Sequence, residues 1–130
     1  MNYEIKFYPQ YSLVVERIEG EITLDSLQKK TQSLLSDPDF KDCLSGAIDL
    51  RNAHTQMSKP ELQSYAQLMD ESEAFKTTKW AIIGNDPMVI ALSQVFQQQM
   101  SDSELIGVFG SVAKAAQFLS KPELLHFLND

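Results

Sequence analysis

Tyr3, Ile5 and Phe7 alternate with Glu4 and Lys6, the period-two pattern of a half-buried strand. Pro9 and Gln10 interrupt that pattern before Leu13-Val14-Val15 opens a second apolar run, so the chain begins with an antiparallel hairpin. After Gly20 the period changes. Leu24, Leu27, Thr31, Leu34 and Leu35 recur at helical spacing, with Thr23 as N-cap, Asp25 in the first turn and Pro38 as a stop, which predicts a helix from Leu24 to Ser36.

Gly46 to Leu50 reads as a short third strand, followed by a polar loop from Arg51 to Met57. Ser58 and Glu61 form a capping box that starts a second helix with the stripe Leu62, Tyr65, Ala66 and Met69. Asp70, Glu71 and Glu73 close that helix as a solvated acidic end. Lys79 to Gly84 is a strand apolar on both faces, as expected inside a sheet. Asp86-Pro87 begins a third helix, with Met88, Leu92, Val95, Phe96 and Met100 on its buried side. Leu105 to Phe109 is the fifth strand, and Gly110-Ser111 caps a helix striped by Val112, Ala115, Ala116 and Leu119. Ser120-Lys121-Pro122-Glu123-Leu124 repeats Ser58-Lys59-Pro60-Glu61-Leu62 word for word, so both read as helix starts that share capping chemistry.

Strands and helices alternate through the chain with no low-complexity linker. One α/β domain over residues 1–130 accounts for the order, with residues 121–129 as a terminal helix appended to it. That helix carries Leu124, Leu125, Phe127 and Leu128, an apolar surplus for a chain end.

Composition narrows the roles. Among 130 residues, 18 are acidic and 11 basic, a net charge of -7 that argues against a nucleic-acid binder or a basic membrane-surface module. The longest uncharged stretch, Pro87 to Ser101, is too polar and too short to span a bilayer. With one cysteine and no signal-peptide pattern at the N-terminus, the expected compartment is the cytoplasm.

The runs Leu13-Val14-Val15 through Gly20-Glu21-Ile22-Thr23, Ala47-Ile48-Asp49-Leu50-Arg51, Lys79-Trp80-Ala81-Ile82-Ile83, and Val108-Phe109 with Ala115-Ala116-Gln117-Phe118-Leu119 together resemble the SpoIIAA-like family. These small bacterial proteins, also described as STAS/SEC14-like, are related in fold to anti-sigma-factor antagonists and CRAL-TRIO domains. The resemblance covers about residues 3 to 119. It implies a mixed four- or five-stranded sheet, helices mainly on one face, and a homodimer. It also implies one of two roles, binding an apolar small molecule or a protein partner. In anti-sigma-factor antagonists a serine of an Asp-Ser-Ser-Gly motif, at the helix start after the third strand, is phosphorylated to break a partner complex. Here the stretch reads Gln56-Met57-Ser58-Lys59-Pro60, so Ser58 holds that location without the neighbouring Ser and Gly.

The remaining polar candidates cluster after the third strand. Asp49 and Arg51 flank Leu50 and point to one face of an extended segment. Such a pair reads first as a structural tie. Its alternative is an anion site formed by Arg51 with the helix N-termini at Ser58, Asp86 and Ser111, although Asp86 repels anions and Pro60 and Pro87 lack donor amides. His54 with Ser58 and Asp49 spells a nucleophile, base and acid, yet no nucleophile elbow or oxyanion-hole motif accompanies them. Two histidines and one cysteine far apart give no metal-ligand spacing, and Gly107 with Gly110 make no phosphate loop, so neither metal nor cofactor is expected. Cys43 stands among acidic residues that oppose a thiolate.

Tyr3, Phe7, Tyr11, Trp80, Phe96, Phe109, Phe118 and Phe127 either fill the core or line an apolar ligand space. If most helices cover one sheet face, the other must meet the last helix, a second copy of the chain or an apolar ligand. The reading that follows is a non-enzymatic, dimeric binding module, regulatory or carrying an apolar small molecule. Its candidate binding residues are Asp49, Arg51, His54, Ser58 and Trp80. The alternatives are a phospho-switch at Ser58 or a hydrolase-like enzyme at the Arg51/His54 loop.

Overall fold

A computed structural model describes residues 1–129. Five strands form one sheet in sequential order: β1 (Asn2–Tyr8), β2 (Leu13–Ile22), β3 (Ser45–Thr55), β4 (Lys79–Ile83) and β5 (Ile106–Phe109). β1 and β2 are the expected antiparallel hairpin, and all later neighbours pair in parallel. The helices are α1 (Leu24–Ser36), α2 (Lys59–Asp70), α3 (Glu73–Lys76), α4 (Pro87–Gln99), α5 (Val112–Leu119) and α6 (Leu124–Phe127).

Each parallel crossover carries a helix. Val14, Ile18, Leu50, Trp80, Ile82 and Ile106 on one sheet face share a core with Leu34 of α1, Leu62, Tyr65 and Met69 of α2, Phe75 of α3, and Val89 and Phe96 of α4. On the opposite face Leu13, Val15, Ala47, Ala81 and Ile83 pack against Val112, Ala115, Ala116 and Leu119 of α5 and Leu124 and Leu128 of the last segment. The small residues Ala47 and Ala81 let α5 lie close to the strands. The apolar chain end therefore packs within its own protomer. Leu124 and Leu128 are buried, Phe127 stacks on Tyr8 at 3.7 Å between centroids, and Arg17 Nη2 donates to the carbonyl of Phe127.

Three expectations change in the structure. The third strand runs on through the segment read as a loop, so Arg51 and His54 belong to β3. Opposite Ile18, β3 spends two residues, Leu50 and Arg51, between the pairs Arg17↔Asp49 and Glu19↔Asn52. This bulge hid the strand, because the inward positions change from Ile48 and Leu50 to Ala53 and Thr55 and break the alternation. Second, α2 ends at Asp70 and Ser72 caps the separate turn α3, which puts Glu73 in a first turn where the helix dipole favours it. Third, the repeated pentapeptide has two structures. Ser58 makes the full capping box with Glu61, whereas Ser120 at φ 56° is the left-handed C-cap of α5 and donates its N–H to the Ala116 and Gln117 carbonyls. A helix that has just ended takes Ser120 for its own termination, and the next turn starts later without a side-chain cap.

Trp80 is buried between Phe40 and Phe75, donates Nε1–H to the Phe75 carbonyl at 3.4 Å, and lays its ring against Gly46 on β3. A Cβ at Gly46 would collide with that ring. Gly46→Ala is thus expected to lower unfolding stability by about 1–3 kcal/mol through overpacking, and a denaturant titration followed by the fluorescence of Trp80, the one tryptophan in the chain, checks it.

Candidate functional site

β3 divides the candidate residues. Asp49 and Arg51 lie on the side of the sheet that faces α5, and they pair with each other. Arg51 Nε and Nη2 donate to Asp49 Oδ1 and Oδ2 at 2.9 and 3.0 Å, and the Arg51 backbone N–H donates to Oδ1 at 3.1 Å. The two-pronged geometry fixes both side chains across the bulge. His54, exposed and paired in register with Glu21, alternates with the buried Ala53 and so projects to the same side. Ser58 is exposed at the α2 N-cap: its Oγ accepts from Glu61 N–H at 3.2 Å and donates to Glu61 Oε1 at 3.1 Å. Ser58, His54 and Asp49 are thus not assembled as nucleophile, base and acid. Among the described residues, no group of three His, Cys, Asp or Glu side chains could hold a metal ion.

The concave site is on the other face. A cavity of about 90 Å³ lies above the middle of the sheet, under α1, α2 and α4. Ile48 and Ile82 form its floor, Leu27 and Lys30 one wall, Met57, Leu62 and Tyr65 a second, and Leu92, Ser93 and Phe96 a third. Ile48 belongs to the central strand, where a closed helical layer would bury it, yet it is only half-buried. The helices therefore leave a mouth above it.

The cavity wall contains a charge that the sequence reading missed. Glu16 of β2 and Lys30 of α1 are both buried, 0% and 2% exposed, and joined Nζ to Oε1 at 2.7 Å. Beside them Thr31 Oγ1 and Tyr65 OH share a hydrogen bond of 2.8 Å. Burial alone would lower the Lys30 pKa. Burial is the largest single influence, but the charge and hydrogen bond of Glu16, together with Tyr65 and Tyr3, outweigh it and hold the ammonium above its usual range. Burial likewise pushes the Tyr65 hydroxyl up. For Cys43 burial is again the larger cause, with Asp42, Asp39 and Asp37 adding to it, and the thiol is raised out of the reactive range. The signal for the ion pair was present in the alternation Val14, Glu16, Ile18 and in Lys30 beside Thr31 on the apolar stripe of α1.

No family model matches the sequence, and no curated protein matches it. Solved structures do. An anti-sigma factor antagonist from Mycobacterium paratuberculosis superposes with a TM-score of 0.59, at 13% identity over 92% of this chain and 93% of that one. An uncharacterized protein with a SpoIIAA-like fold from Shewanella loihica PV-4 gives a TM-score of 0.54, at 15% identity over 91% and 92% of the two chains. The chain has a SpoIIAA-like fold. Within it, a mixed sheet with one antiparallel edge carries four helices on one face and two on the other, and the cavity sits on the four-helix side. None of the helices of this SpoIIAA-like domain, among the described residues, is long and apolar enough to cross a membrane.

Removing one partner of the buried pair strands the other. Lys30→Met is expected to cost about 3–5 kcal/mol, whereas Glu16→Leu with Lys30→Met should lie near wild type. Because the folded Lys30 pKa is raised, the stability it contributes is complete below the unfolded-chain value of about 10.4 and fades as pH rises through the folded value. Urea titrations at rising alkaline pH check both points: wild type should lose stability more steeply than the double variant.

Proposed function

We propose that the chain is a non-enzymatic binding module that holds an apolar small molecule in the cavity over the sheet. The observation that carries this reading is the half-buried Ile48, a central-strand side chain left reachable beneath three helices. Apolar side chains with a few polar groups are the usual lining of small-molecule sites. Lys30 is the charged member of that lining, and Glu16 already neutralises it at 2.7 Å. A carboxylate ligand would put a second buried negative charge beside Glu16 with one ammonium between the two, at a cost of several kcal/mol. The occupant is accordingly a neutral molecule, its polar atom within reach of Thr55, Tyr65 or Ser93. An engineered apolar cavity of roughly 150 Å³ accommodates benzene. At about 90 Å³ the present one takes a short chain or small ring, with any longer portion leaving through the mouth.

Native mass spectrometry after gentle purification is expected to show a retained neutral hydrophobic mass. Ile48→Phe, which fills the space from its floor, should abolish that mass while keeping the melting temperature at or above wild type. Repeated recovery of clean apo protein would overturn the reading.

A second reading has its own support in Ser58, which is exposed at a helix N-cap in a chain that superposes on an anti-sigma factor antagonist. A phosphate there would replace the Ser58–Glu61 capping box and set about two negative charges beside the Glu61 carboxylate, so α2 would loosen at its first turn and release a protein partner. Incubation with kinases from the source cell should add one phosphate to the chain and none to Ser58→Ala. An unmodified wild-type chain counts against the switch.

A further inference from the structure

We propose that β1 is a self-pairing edge, through which two copies of the chain join into one continuous antiparallel sheet. This inference is independent of what occupies the cavity.

The two ends of the sheet differ. β5 has four residues, and Gln97 Nε2 of α4 donates to the carbonyl of Ile106. β1 has seven residues and is paired on one side, by β2. Asn2, Tyr3, Glu4 and Lys6 are exposed, Tyr3 at 46%, while Ile5 and Phe7 are half-buried. An edge strand of this length presents a row of backbone donors and acceptors that another strand can complete.

The side chains choose both the partner and its register. A two-fold axis perpendicular to the sheet sets β1 antiparallel to its own copy, with each residue opposite one on the same face. Centred on Glu4, that pairing opposes two glutamates; centred on Lys6, it opposes two lysines. Centred on Ile5, it places Glu4 against Lys6 of the second copy, twice. It also places Tyr3 against Phe7 twice and Ile5 against itself. The first set of pairs lies on the face shared with Val15 and Arg17, the second on the face shared with Val14, Glu16 and Ile18. Opposite charges and aromatic contacts are the cross-strand pairs that stabilise antiparallel neighbours, and like charges directly opposite destabilise them. Glu4 and Lys6 already contact each other within the strand at 3.6 Å, but with side chains 55% and 60% exposed that contact is weak and is given up readily on pairing.

Size-exclusion chromatography with light scattering over a concentration series tests the edge directly, with circular dichroism to confirm that each variant is folded. Wild type should dimerise. Lys6→Glu turns both charge pairs repulsive and should weaken the dimer at least about tenfold. Adding Glu4→Lys to Lys6→Glu exchanges the charges while keeping the strand self-complementary, and this double variant should regain the wild-type dimer. A wild-type chain that stays monomeric throughout overturns the proposal. So does a dimer indifferent to Lys6→Glu, or a folded double variant that remains as monomeric as the single one.

Discussion

The handedness of parallel crossovers governs the rest of this molecule. Three successive connections, β2 to β3, β3 to β4 and β4 to β5, join neighbouring parallel strands in a sheet whose spatial order equals its sequence order. Such connections turn right-handed as a rule, which puts successive crossovers on one side, and α1, α2 with α3, and α4 all share a core on the same face. The chain that follows β5, with Tyr8 and Tyr11 of the hairpin, covers the other face. The apolar density of α5 and of Leu124 to Leu128 meets that need. Leu13, Val15, Ala47, Ala81 and Ile83 would otherwise be in water, and Phe127 fastens the end of the chain to the hairpin through Tyr8 and Arg17. What reads in the sequence as surplus hydrophobic surface at a terminus is the second layer of the core.

The crowded face carries the cavity for a related reason. Three crossover helices and the turn α3 share one side of a five-stranded sheet, and their packing surrounds Ile48 without sealing it. At this edge of the layer, Lys30 of α1 is tied to Glu16 of β2 rather than packed as an apolar residue. A buried ion pair adds little net stability over a hydrophobic pair of the same volume. Its effect on the site is electrostatic: the lining retains hydrogen-bonding groups while the charge of Lys30 is balanced by Glu16.

Local chemistry made much of this fold legible in the sequence. Thr23, Ser58 and Ser111 accept from the amides expected of N-caps, and the hairpin and parallel strands follow from their apolar patterns. The misread features depend on non-local context. The β3 bulge shifts the inward positions midway, so Ala53 and Thr55 could not be seen as a continuation of Ile48 and Leu50. Ser120 repeats the word around Ser58 but follows directly on a helix that needs a left-handed end. Glu16 and Lys30 are each ordinary surface residues alone, and become informative only when strand alternation and helix periodicity place both on the buried side. That the cluster Asp49, Arg51 and His54 lies on the face opposite the cavity was not legible, because a sequence shows that polar residues are near one another and not which side of a sheet they occupy.

The two functional readings meet on α2. The capping box of Ser58 and Glu61 fixes where this helix begins, and one turn later Leu62 and then Tyr65 form a wall of the cavity, with Met57 immediately before the cap. Any event that breaks the box, a phosphate included, frees backbone amides at the end of that wall and alters its seat on the sheet. Conversely, a molecule resting against Leu62 and Tyr65 restrains the helix that presents Ser58. Coupling of this kind is reciprocal wherever two sites bias one element. In this fold a bound ligand and a modified serine need not be alternatives, since each acts on the position of the same twelve-residue helix.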